Sequence, residues 1–132
     1  MAEIVYLNEE KIIELNVLIL NLINVKKADQ PKVLSYRKIT QSIENCRDCD
    51  GDIYDKAVVL MKSIIKNHAF ASGNRRTAFI ATKYFLIYNN GKIKIKDDPL
   101  HANVMQGIRE NYYSHEEIKE WIMDGKIRSF ER

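Results

Sequence analysis

The residues best suited to chemistry lie in one run of nine: His68-Ala69-Phe70-Ala71-Ser72-Gly73-Asn74-Arg75-Arg76. The run sits between two apolar helical patterns, so Arg75 and Arg76 fall in the first turn of the second helix. That end of a helix is electropositive and favours Asp or Glu. Two cations there repel the dipole and each other, and a bound phosphate removes the conflict. Gly73 lets the backbone come close to an anion, and the first-turn N–H groups donate to its oxygens. Arg75 and Arg76 add forked, charge-assisted bonds. Histidine ordinarily titrates near neutral pH, so His68, at the other edge of the loop, can accept a proton. A base beside a phosphate cradle implies transfer of a phosphorus-containing group to a hydroxyl. The plainer alternative is a C-cap histidine with two solvated arginines.

The run resembles the Fic/Doc family pattern His-x-Phe-x-(Asp/Glu)-Gly-Asn-(Gly/Lys)-Arg, matched by His68, Phe70, Gly73, Asn74 and Arg76. Lys66-Asn67 before it, Thr77-Ala78-Phe79 after it, Asn89-Asn90-Gly91 and the Ser114-to-Ile122 segment look like the death-on-curing (Doc) branch. The resemblance implies an ATP-using enzyme that modifies a protein hydroxyl. It implies His68 as the base, Gly73 and Asn74 with the helix N-terminus as an anion hole, Arg76 on nucleotide phosphate, and Phe70 as an inward anchor. Fic proteins usually transfer AMP. Doc carries Lys where Fic has Gly and phosphorylates elongation factor Tu. Arg75 takes that position here; it is basic, and a side chain there crowds the pocket that Gly leaves open. The resemblance thus favours phosphate transfer, with AMP transfer and a non-catalytic phosphate-binding module as alternatives. It also implies a small antitoxin as partner.

Ser72 departs from the family, which has Asp or Glu there to help bind Mg²⁺. Magnesium prefers carboxylate oxygens. The metal is then held by phosphate and water, or the second arginine partly replaces its charge, or activity is weak or lost. No residue of the run is expected to be a metal ligand.

These residues need helices to position them. Asn8 predicts an N-cap, followed by Glu9, Glu10 and a stripe of Ile12, Leu15, Ile19, Leu22 and Ile23. Residues 25 to 35 read as a polar connection, Arg37 to Asn45 as a short helix, and Cys46 to Asp52 as a loop. A helix over Ile53 to Asn67 follows. Asn74 to Asn89 carries one charge in its body, which predicts the buried central helix of the bundle, stopped at Asn90-Gly91. Lys92 to Lys96 alternates as a short extended piece. Asp98-Pro99 opens a helix with Leu100, Val104 and Ile108 inward. Ser114 to Glu117 is a capping box before a last helix to about Asp124, with Ile118, Trp121 and Ile122 inward. The expectation is an all-α bundle of five or six helices in one domain over residues 1–132.

Composition agrees. Among 132 residues 45% are hydrophobic and 30% charged, with 5 Gly and 2 Pro, which excludes disorder and disfavours a loop-rich β-sandwich. The net charge of +3 does not call for nucleic acid. The greasiest stretch, Ile12 to Val25, is too short and polar to span a membrane. No targeting segment is visible, so a cytoplasmic protein is expected.

Weaker motifs have plain readings. Cys46 and Cys49 lack a second cysteine pair for zinc, with His101 and His115 as partners only by elimination. Asp48, Asp50 and Asp52 around Gly51 do not fit an EF-hand. Thr40 to Asn45 loosely fits an inhibitory pattern of some Fic proteins, in which the Glu, here Glu44, pairs with a motif arginine; an ordinary core helix fits equally.

Overall fold

The computed structural model describes residues 3–22, 31–96 and 99–131. Among them are six helices: α1 (Glu9–Leu22), α2 (Tyr36–Asp48), α3 (Ile53–Asn67), α4 (Asn74–Tyr88), α5 (Pro99–Arg109) and α6 (His115–Asp124). They form a compact all-α bundle.

The centre belongs to α3, which packs against α2, α4, α5 and α6. The low charge of Asn74 to Asn89 pointed instead to α4, which packs on α3 and α1 and leaves Ile87 and Tyr88 exposed. Charge counting misled because the four charges of α3, Asp55, Lys56, Lys62 and Lys66, still leave it a broad apolar face. Between them Ala57, Val58, Leu60, Met61, Ile64 and Ile65 are buried.

Local chemistry sets the helix ends. Asn8 Oδ1 accepts from Lys11 N, opening α1. Ile12, Leu15 and Ile19 face the core, but Leu22 is 76% exposed; Ile23 and Val25 lie outside the described residues, as does the N-cap expected at Asp98. Ser114 and Glu117 close a reciprocal capping box on α6, whose Ile118, Trp121 and Ile122 point inward. On α5 Val104, Met105 and Ile108 are buried, whereas Leu100 faces solvent. Lys92 to Lys96 forms no strand; Lys94 N donates to Ile122 O, and Ile95 turns inward.

Cys46 to Asp48, expected in a loop, continue α2 because Cys46 is a core residue of its inner face. Burial pushes the Cys46 thiol up to about 12, which makes it inert. The end of α2 is closed by Lys56, only 6% exposed. Its ammonium donates to Cys46 O at 3.3 Å, Arg47 O at 3.0 Å and Cys49 O at 2.5 Å, satisfying carbonyls that helix termini leave open.

The start of α3 is clasped to α6. Asp55 Oδ1 lies 2.8 Å from His115 Nε2 and 3.0 Å from Lys119 Nζ. These partners hold the Asp55 carboxyl well below the usual carboxylate range, His115 first. Arg128 likewise lowers Glu117 to about 2. Both groups shed their protons more readily folded than unfolded. Their contribution is therefore complete above the ordinary carboxylate pKa and is lost as pH falls through the lowered values. Thermal melts should show stability dropping from about pH 4.5 towards pH 2, with a shallower drop in Asp55→Asn.

Candidate active site

The nine-residue run forms the connection from α3 to α4. His68 ends α3 in the left-handed region at φ 52°, and Gly73 starts α4 at φ 79°. Between them Ala69 and Phe70 turn inward, and Phe70 is 1% exposed. Val33 and Phe70 form an antiparallel bridge. Leu34 N and Ser35 N donate to Ala69 O, and Ala71 N donates to Lys32 O. The segment before α2 thus pins the loop from one side.

From below, the loop rests on Asn16 of α1. Its Nδ2 donates to Ser72 O at 2.9 Å and to Thr77 Oγ1 at 3.1 Å. A Cβ at Gly73 would stand 3.2 Å from both Asn16 Nδ2 and Leu20 Cδ2. Positive φ and this tight approach together call for glycine. Asn16, 1% exposed, was not singled out from sequence. The available signal was a polar residue one turn on from buried Ile12 within an apolar helix.

Asn74 ties the loop together. Its Oδ1 accepts from Phe70 N at 3.1 Å, and its Nδ2 donates to Phe70 O at 2.8 Å. The same Nδ2 lies 3.3 Å from His68 Nδ1. This amide therefore links the exposed imidazole to the first residue of α4.

Gly73 gives α4 no side-chain cap. Among the described residues, nothing accepts from the N–H groups of Asn74, Arg75 and Arg76, so they are open to an anion. Both arginines are exposed, but they behave differently. Arg75 Nη1 donates to Gln106 Oε1 on α5 at 2.8 Å, and Gln106 Nε2 donates to Glu110 Oε2 at 2.9 Å. Its side chain is drawn towards α5. Arg76 makes no hydrogen bond or ion pair among the described residues. Nor does Glu44 pair with it.

No residue of the loop from His68 to Arg76 carries a carboxylate. The loop's own donors thus fit an anion and not a hard divalent cation. Among the described residues, one group has atoms close enough to hold a metal: Asp55, His115 and Glu116, within 4.8 Å of one another. It lies near the other end of α3, 13 residues from His68 and so about 20 Å along the helix. Lys119 and two helix N-termini add positive charge at that spot, which suits an ion-pair clasp.

Residues 6–86, from Tyr6 into α4, match the Fic/Doc family and cover more than half of the chain. The chain belongs to the Fic/Doc family. A search of curated proteins finds no match. The family is associated with enzymes, and its region carries His68 and the open start of α4.

Proposed function

We propose that this chain is a Doc-type toxin that moves the γ-phosphate of ATP onto a serine or threonine hydroxyl of a target protein. A translation elongation factor is the expected kind of target. A small antitoxin protein would neutralise it, and both would work in the cytoplasm without nucleic acid or membrane. The supporting observation is the juxtaposition of His68 with an uncapped helix start across one amide, Asn74. In this reading the N–H groups of α4 and Arg76 hold the phosphates. His68 takes the hydroxyl proton as oxygen attacks phosphorus and the bridging P–O bond to the leaving ADP breaks.

The deciding experiment follows labelled ATP incubated with elongation factor. Label must arrive from the γ position and must require His68. Arrival from the α position selects AMP transfer, which Arg75 favours by leaning on Gln106 and leaving the helix start open.

Two substitutions test the roles. Arg76→Ala removes a charge with no partner among the described residues. It should weaken ATP binding about 10- to 100-fold, from about 1.5–3 kcal/mol of charged hydrogen bonding, and leave the melting temperature in place. Calorimetry and a thermal scan read the two effects. Ser72→Asp restores a carboxylate beside the phosphates and should raise transfer severalfold when magnesium is added. ATP binding without transfer to any target, and no gain from Ser72→Asp, supports a non-catalytic binding module.

A further inference from the structure

The orientation of the Asn74 amide is fixed without reference to His68. Phe70 N needs an acceptor and Phe70 O needs a donor, and Oδ1 and Nδ2 meet them at 3.1 and 2.8 Å. Turning the amide over sets donor against donor and acceptor against acceptor in a buried position. An amide nitrogen carries two hydrogens. One goes to Phe70 O, and the other faces His68 Nδ1 at 3.3 Å. An N–H requires a lone pair opposite it, so Nδ1 is unprotonated. A neutral imidazole then carries its proton on Nε2.

We propose that Asn74 is a positioning residue that holds His68 as its Nε2–H tautomer, so that the resting loop presents a hydrogen-bond donor rather than a base. A carboxylate facing Nδ1 does the opposite: it accepts from Nδ1–H and leaves the Nε2 lone pair free to take a proton. Here the partner is an amide held by the backbone of its own loop. Nε2–H suits contact with an anion beside the start of α4. It cannot take a hydroxyl proton until the ring leaves Asn74 and exchanges Nε2–H for Nδ1–H through water. The inference rests on the reading of His68 as the proton acceptor and adds a gate to it. His68 is exposed and makes no other hydrogen bond among the described residues, so only the 3.3 Å contact opposes ring rotation.

The test is nitrogen NMR on the full ¹⁵N-labelled chain without nucleotide, at about pH 9, where imidazole is neutral. A pyridine-type shift is expected for His68 Nδ1 and a pyrrole-type shift for Nε2, with a through-hydrogen-bond coupling between Nδ1 and Asn74 Nδ2. Because free imidazole already populates the Nε2–H form, that coupling is the decisive readout, and it needs no variant. In Asn74→Asp the two shifts should exchange. A pyrrole-type Nδ1 in the unmodified chain, or absence of the coupling, overturns the proposal. The spectra need no enzymatic turnover: transfer of label alongside a protonated Nδ1 sinks this inference alone, and the expected spectra in a chain that transfers nothing sink only the proposed activity.

Discussion

Alanine at His68 is expected to lower γ-phosphate transfer by about 10²–10⁴-fold, the usual worth of a positioned acid–base group. ATP affinity should change far less than transfer, because most of the anion-binding groups belong to α4. The fold should survive as well. The ring is exposed, and its one hydrogen bond among the described residues uses a hydrogen of Asn74 that water can satisfy, while the bonds of Asn74 to Phe70 stay intact. Single-turnover transfer of γ-label together with a thermal melt separates chemistry from folding. Undiminished transfer would remove His68 from the mechanism.

Alanine at Phe70 should act in the opposite way, through stability. The ring is fully buried, and truncating such a phenylalanine costs about 3–5 kcal/mol. A domain of this size is stable by roughly 5–15 kcal/mol, so most of the margin can disappear. The backbone bonds of Ala69 and Ala71 to residues 32–35 remain, but they then pin a loop whose inward wedge is gone. Urea titration should show a much lower midpoint, and Phe70→Leu should recover part of the loss. An unchanged midpoint would mean that the loop does not depend on this ring.

The motif was legible because its members are consecutive: the anomaly of arginines at a helix start needs nine neighbouring letters. Helix limits were also readable where caps are local, as at Asn8, Ser114 and the Asn90-Gly91 stop. What escaped involves partners far apart in the chain. Asn16 supports Ser72 from 56 residues away, and Gln106 draws Arg75 from 31 residues away. Nothing in either local pattern names the other partner. The pairing of residues 32–35 with the loop escaped for the same reason, since a polar connection looks the same whether or not its backbone meets another strand. The exchange of α3 and α4 at the centre has a different cause. Composition reports how many charges a helix carries, whereas centrality depends on how broad an apolar face they leave: α3 carries four charges and still buries seven residues.

The place of α3 bears on how a target must be met. His68 hangs from the end of a rod about 22 Å long that four other helices grip. Such a mounting behaves as an anvil: the freedom of His68 lies chiefly in the torsions of its own side chain. A substrate hydroxyl therefore has to be brought to a fixed point, and the accommodation of different targets falls to whatever presents them.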